Sequence, residues 1–116
     1  MATFNPDRGL LREQIESLRA QTGVEWHCFV SDDCSDDGKF EGLTEEIAGD
    51  ERFTVSRSPR RLGFYRNFER AMDMVPDEYP LVALSDQDDR WYPEKLATLA
   101  EALGDAMLVY SDQRLV

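Results

Sequence analysis

The sequence has few cysteines, a single histidine and no long apolar run, and each shortage excludes a class of protein. Cys28 and Cys34 are too few for a disulfide framework, so a reducing cytoplasm is the expected compartment. His27 alone cannot supply a histidine-rich zinc site or a histidine-based catalytic triad. No apolar run approaches the roughly 20 residues that cross a bilayer, so no membrane-spanning segment is expected. The N-terminus also lacks the residue order of a signal peptide.

Basic residues are scarce as well. The chain of 116 residues holds 13 Lys and Arg against 24 Asp and Glu, which gives a net charge of −11. Such a surface repels a phosphate backbone, so nucleic acid is not an expected partner. Residues 52–70 run against this balance, with six arginines and one acid. A local basic segment in an acidic chain is typical either of a site for a small anion or of a solvated loop and helix face.

Hydrophobic periodicity predicts alternating strands and helices in one domain over residues 1–116. A first amphipathic helix, capped by Asn5 or Asp7, is expected to end near Gly23, and further helices are expected over 40–47, 64–75 and 93–103. Strands are expected over 26–31, 52–56, 79–85 and 107–111, with 79–85 central because it is almost continuously apolar. This order favours an α/β fold with a mostly parallel, Rossmann-like sheet and helices on both faces. The first strand is expected to be truncated, since little precedes Asn5.

Three aspartates, Asp86, Asp88 and Asp89, directly follow the predicted central strand. Carboxylates there repel one another, and a divalent cation would relieve the repulsion. Mg²⁺ or Mn²⁺ commonly takes one or two carboxylates together with water and substrate phosphates. The alternative is an aspartate-rich turn that caps the helix near Pro93, but capping uses one carboxylate and three are present. The pattern therefore favours a metal site at Asp86 and Asp88.

Polar residues also follow an earlier predicted strand and open a predicted helix. Taken alone, Asp32 and Asp33 are best explained as turn residues. At the carboxyl ends of parallel strands, however, a carboxylate beside a metal is placed to accept hydrogen bonds from a nucleobase or a ribose. Arginines are candidates for binding diphosphate oxygens through charge-assisted hydrogen bonds, and the candidates are Arg60, Arg61 and Arg66, with Asn67 at the helix start.

Five short motifs are distributed in order along nearly the whole chain. They are Met1–Asn5 (MATFN), 11–22 (LREQIESLRAQT), 30–38 (VSDDCSDDG), 62–68 with Leu-Gly and Asn-Phe, and 85–96 (SDQDDRWYPEKL). In this order and spacing they resemble the family 2 glycosyltransferases of the GT-A fold, in particular the bacterial rhamnosyltransferase-like branch. The resemblance implies an inverting enzyme that transfers a sugar from a nucleoside-diphosphate donor to an acceptor hydroxyl, with a metal assisting the leaving diphosphate. It also implies dTDP-rhamnose or a UDP-sugar as donor, and cell-surface polysaccharide synthesis as the process.

The resemblance assigns roles to individual positions. Thr3 and Asn5 are implied at the nucleoside, and Asp32 and Asp33 at the base. Arg66 and Asn67 are implied at the phosphates, and Asp86 and Asp88 at the metal. The last pair forms the aspartate-x-aspartate motif, in which Asp88 would contact Mg²⁺ or Mn²⁺ and Asp86 the ribose or the metal. The acceptor half and the general base of the family are expected outside this chain, so residues 1–116 are expected to be the donor-binding part of a larger glycosyltransferase.

The implied partners are a nucleoside-diphosphate sugar and a glycan or lipid-linked acceptor, with the protein in the cytoplasm, at the inner face of the membrane through its substrate. One alternative is a phosphoacceptor receiver domain, which needs a lysine after its last strand, where this chain has Arg114 nearby. A second is a folded, non-catalytic remnant that binds nothing, for which a homodimer would cover an exposed sheet edge.

Overall fold

A computed structural model describes residues 1–115 as three strands and four helices. They are, in chain order, β1 (Ala2–Thr3), α1 (Arg8–Arg19), β2 (Cys28–Asp32), α2 (Asp37–Ile47), β3 (Phe53–Arg57), α3 (Phe64–Asp73) and α4 (Lys95–Leu103). The strands form one parallel sheet in the order β1-β2-β3. No helix in this part of the chain is long and apolar enough to cross a membrane.

Helix α1 begins at the predicted aspartate cap. Asp7 accepts hydrogen bonds from the backbone N–H groups of Gly9 and Leu10 at 2.9 and 3.1 Å, which satisfies two donors of the first turn. The apolar spacing then places Leu11 and Ile15 on the buried side. The helix therefore stands against the sheet through the face that the sequence pattern predicts.

Helices cover both faces of the sheet, because successive side chains of β2 point in opposite directions. Cys28 and Val30 belong to the apolar core together with residues of α1 and α2. Ser31 faces the other way, where its hydroxyl donates to Asn67 of α3 at 2.7 Å and accepts from Arg70 at 2.6 Å. The predicted α/β class, with a parallel sheet between helices, is confirmed.

Two predicted strands, 79–85 and 107–111, are not part of the sheet in residues 1–115. A single backbone hydrogen bond joins the first of them to β1, from Ala2 N–H to the Ser85 carbonyl at 3.2 Å. A continuous apolar run predicts a strand buried on both faces, but strand pairing also needs a neighbour with a matching ladder, and β1 has only two residues. Three apolar residues of this run are more than half exposed: Leu81 51%, Val82 56% and Leu84 59%.

Element boundaries differ by smaller amounts from those predicted. Helix α1 ends at Arg19, about one turn before Gly23, and α2 begins at Asp37 rather than Phe40. Strand β2 begins at Cys28 and extends to Asp32. The extension matters for function, because it makes Asp32 the last strand residue and Asp33 the first residue beyond the sheet.

Candidate functional site

A cleft of about 260 Å³ opens at the carboxyl ends of the parallel strands. It is lined by four separate segments: Ala2, Thr3 and Phe4; Asp33; Arg61, Phe64, Asn67 and Phe68; and Asp86, Gln87 and Asp88. This is the edge at which open α/β sheets bind ligands. A second cleft, of about 350 Å³, is lined by residues of α1 and α2 and holds none of the predicted site residues.

Thr3 and Asn5, both predicted at the nucleoside, fix the chain where it leaves β1. Thr3 is buried, and its hydroxyl donates to Asp32 Oδ1 at 3.0 Å. The Asn5 backbone N–H donates to Ser35 Oγ at 2.8 Å, and Asn5 Oδ1 accepts from the Asp36 N–H at 2.8 Å. Thr3 lines the cleft and Asn5 does not. These contacts fix the segment that follows β1, part of which lines the cleft. Contact of either side chain with a nucleoside stays a prediction.

The neighbouring residues Asp32 and Asp33 have different surroundings. Asp32 is fully buried, does not line the cleft, and accepts hydrogen bonds from the backbone N–H and the hydroxyl of Ser35. Asp33 lines the cleft and accepts from the backbone N–H groups of Leu62 and Gly63 at 2.6 and 2.9 Å. Of the pair, Asp33 is the one placed to meet a ligand, and its carboxylate also holds the loop before α3.

Arg61 is a cleft residue that sequence reasoning did not select over its neighbours. Its guanidinium carbon lies 3.3 Å from the centroid of the Phe4 ring, and its Nε lies 3.4 Å from Asp33 Oδ2. Arg66, which the family resemblance assigns to the phosphates, is exposed and does not line the cleft. Arg60 and Arg61 are the same residue type side by side, and only the contact with Phe4 and Asp33 distinguishes them.

Asn67 lies in α3 and is almost fully buried at the inner wall of the cleft. Its Oδ1 accepts from the hydroxyl of Ser31 at 2.7 Å, and its Nδ2 donates to the Thr3 carbonyl at 3.2 Å. The side chain thus joins α3 to both β1 and β2. A contact with diphosphate, as predicted, would use a side chain whose amide is already hydrogen-bonded on both sides.

The acidic loop, residues 86–89, contributes Asp86, Gln87 and Asp88 to the lining of the cleft. Burial, and then the charges of Asp89 and Asp88, raise the pKa of the Asp86 carboxyl above its ordinary value. Within residues 1–115, the aspartates of this loop form no ion pair with a basic side chain. The charge of the Met1 ammonium offsets part of this rise in the pKa of Asp86, and the loop otherwise concentrates negative charge without a basic side-chain partner, which favours the binding of a cation.

The carboxylates of the cleft suit a metal site whose remaining ligands come from substrate and water. No group of three or more histidine, cysteine, aspartate or glutamate side chains is placed to hold a metal in the part of the chain that the structure describes. Asp86 and Asp88 nevertheless line the same cleft and offer hard oxygen ligands. Mg²⁺ is commonly bound by one or two carboxylates together with water and substrate phosphates. The residues present fit that arrangement and do not form a complete protein cage.

Three glutamine side chains anchor the acidic loop and its flanks. Gln14 is fully buried in α1 and donates to the Ser85 hydroxyl at 2.7 Å. Gln87 pairs with the backbone of Phe4, accepting from its N–H at 2.8 Å and donating to its carbonyl at 3.2 Å. Gln21 donates to the Tyr92 carbonyl at 2.7 Å. These contacts span 71 to 83 residues of sequence, so no local pattern predicts them.

The sequence is similar to known proteins over most of its length. Residues 1–115 match the family model described as glycosyl transferase family 2. The chain is 31% identical over 114 residues to the uncharacterized protein y4gI of Sinorhizobium fredii, covering 95% of this chain and 12% of that protein. It is 30% identical over 106 residues to the dTDP-rhamnosyl transferase RfbG of Shigella flexneri, covering 89% and 36%. The succinoglycan biosynthesis protein ExoW of Rhizobium meliloti is 33% identical over 106 residues, covering 86% and 31%. The chain thus spans little more than a third of these relatives at most.

Proposed function

This chain belongs to glycosyl transferase family 2, and on that premise we propose that its cleft binds the nucleoside-diphosphate sugar donor of a glycosyl transfer reaction. The names of the relatives support a role in polysaccharide synthesis. The relative named as a dTDP-rhamnosyl transferase supports dTDP-rhamnose as donor, with a UDP-sugar as the alternative. The acceptor that we propose is a hydroxyl of a glycan or of a lipid-linked glycan.

One observation carries the proposal: a loop with an arginine and a loop with two aspartates line the same cleft at the carboxyl edge of the sheet. Arg61 and Phe4 form a cationic and aromatic side, while Asp86 and Asp88 form an acidic side. A nucleoside diphosphate needs both, because its base and ribose bind to aromatic and polar groups and its phosphates bind through a cation. A receiver-type domain is not favoured, since the match to glycosyl transferase family 2 extends over residues 1–115.

The residues of the cleft divide the work of donor binding. Asp33 holds the loop that carries Arg61 and itself lines the cleft, where we assign it to the side of the nucleobase. Asp86 and Asp88 would hold Mg²⁺ or Mn²⁺, which supplies charge neutralisation for the leaving diphosphate when it is bound. Asp33 is held at the sheet edge before the donor arrives, whereas Asp86 and Asp88 lie in a loop outside the helices and strands.

We propose inversion at the anomeric carbon, with a general base supplied by the acceptor side. Among the carboxylates of the cleft, Asp33 is already bonded to the 62–63 amides. Asp86 and Asp88 serve the metal in this scheme. Donor binding and proton removal from the acceptor are therefore assigned to different parts of the enzyme.

Titration calorimetry with UDP and with dTDP, each with and without Mn²⁺, tests the proposal. We expect saturable binding that Mn²⁺ strengthens, and we expect this gain in affinity to be lost in Asp88→Asn. Asp112→Asn, the same change at an exposed aspartate outside the cleft, is the matched control and should bind as the wild type does. The nucleotide that binds more tightly identifies the base of the donor. A folded chain, by circular dichroism, that binds neither nucleotide would refute the proposal and favour the non-catalytic remnant.

A further inference from the structure

Gln87, which lies between Asp86 and Asp88 in the sequence, is hydrogen-bonded to Phe4, a residue from a distant segment of the cleft lining. Gln87 is half-buried, and its side-chain amide forms a two-point contact with the backbone of Phe4 at 2.8 and 3.2 Å. Within residues 1–115, these are the hydrogen bonds that the N–H and carbonyl of Phe4 form. Phe4 is therefore held by the acidic loop rather than by the strand that it follows.

The same contact fixes the acidic loop. Residues 86–89 belong to no helix or strand. Asp86 and Asp88 stand on either side of Gln87, and both line the cleft. A side chain that bonds at its tip to Phe4 restricts the backbone between the two carboxylates, and hence restricts the distance and orientation at which they face a cation.

From this geometry we propose that Gln87 is a positioning residue that couples the nucleoside wall at Phe4 to the metal-binding pair Asp86 and Asp88. Ordering of either wall then orders the other, so a cation on the acidic loop and a nucleotide against Phe4 each raise the affinity for the other. By thermodynamic linkage the two effects are equal in size. The inference rests on the proposed function and concerns how its two binding elements act together.

The chemistry of the side chain explains why an amide stands at this position. The contact needs a donor and an acceptor at the tip of one side chain, which glutamine supplies. Glutamate would place an acceptor against the Phe4 carbonyl and would add a negative charge between two others. Asparagine has the same groups on a shorter stem, which withdraws them from Phe4.

The test compares Gln87→Met with wild type and with Gln113→Met. Methionine keeps the length of the side chain and loses its hydrogen bonds, and Gln113 is exposed, so it offers the same substitution away from the cleft. Two measurements are needed: hydrogen exchange of the Phe4 amide in the free protein, and the affinity for UDP and dTDP with and without Mn²⁺. The first measurement does not depend on ligand binding.

In Gln87→Met we expect the Phe4 amide to exchange about tenfold faster or more, because its hydrogen-bond acceptor is removed. We expect the Mn²⁺-dependent gain in nucleotide affinity to fall by about threefold or more, which lies within the usual range of coupling between sites. Gln113→Met should match the wild type in both measurements.

Three results would overturn the inference. Unchanged exchange at Phe4 would show that Gln87 does not hold it. Faster exchange with an unchanged Mn²⁺-dependent gain would show a local structural contact without coupling. If the wild type itself binds neither nucleotide, the proposed function fails and takes the inference with it, and that case is recognised from the wild type alone.

Discussion

Removing the Asp33 carboxylate should destabilise the chain measurably, although the residue lies at the end of a strand beside a cleft. The side chain is 2% exposed and accepts hydrogen bonds from the amides of Leu62 and Gly63 at 2.6 and 2.9 Å. Asp33→Ala leaves both amides without their acceptor and removes the partner of Arg61 Nε at 3.4 Å. The loop that leads into α3 would then lose its main attachment to the sheet.

The expected size of this effect follows from the surroundings of the two donors. Hydrogen bonds to a charged acceptor contribute about 1.5–3 kcal/mol each, so two of them set an upper value of about 6 kcal/mol. Leu62 and Gly63 are only half-buried, which lets water replace part of each lost bond. Arg61 is largely exposed, so its ion pair adds at most about 1 kcal/mol. We expect a loss of about 2–3 kcal/mol for Asp33→Ala, and about half of that for Asp33→Asn, which keeps one acceptor.

Urea unfolding followed by circular dichroism measures this loss as a lower midpoint at an unchanged slope. Asp112→Ala, at an exposed position, is the control and should stay within about 0.5 kcal/mol of the wild type. A loss below about 0.5 kcal/mol for Asp33→Ala would refute the reasoning, because buried hydrogen bonds to a carboxylate would then contribute nothing. Asp33 would in that case be free to serve a ligand alone.

Three further predictions concern other parts of the molecule. Arg12, and then Arg8, lower the pKa of Glu46 from 4.5 to about 2. The stability that these ion pairs contribute is therefore present above pH 4.5 and is lost as the pH falls toward 2. Glu46→Gln should therefore flatten the dependence of the unfolding free energy on pH in that range, as measured by urea unfolding at several pH values. Gln14→Met should lower the free energy of unfolding by about 1–2 kcal/mol, because its hydrogen bonds, among them the one to Ser85, are lost. Gln14→Ala should lower it by about 2–4 kcal/mol, because a cavity is added. Urea unfolding at pH 7 measures both changes. Asp86→Asn should stabilise the metal-free chain at pH 7 by at most about 0.5 kcal/mol in urea unfolding, because the raised pKa makes ionisation less favourable in the folded state while solvent screens this exposed residue. The same variant should abolish Mn²⁺-dependent nucleotide binding in calorimetry.

The sequence pattern predicts the elements whose signal is local. The buried face of α1 follows from apolar residues such as Leu11 and Ile15, and its start follows from the cap at Asp7. Strand β2 follows from its run of aromatic and β-branched residues. The run over 79–85 carries the same local signal and still forms no ladder, because pairing depends on what lies beside it in space.

In the candidate site, too, local sequence predicts some features, and contacts between distant segments determine the others. That carboxylates gather at the carboxyl edge of the sheet follows from their positions after predicted strands, and Asp33, Asp86 and Asp88 do line one cleft. Which of two adjacent aspartates is buried, and which of several arginines reaches Phe4, depends on side-chain contacts between distant segments. Asp32 is enclosed by its own turn, whereas Asp33 reaches across to the 62–63 amides, and their order in the sequence does not predict this difference.

The contact between Phe4 and Gln87 has a consequence for the order in which the protein is made. Its two residues are 83 positions apart, whereas the strands β1 to β3 are all complete once residue 57 has been synthesised. Because a chain emerges from the ribosome with its N-terminus first, the sheet is able to form while Phe4 still lacks its partner. The cleft is thus completed only after the sheet, and a nascent chain that stops short of residue 87 would hold the three strands without the acidic side of the cleft.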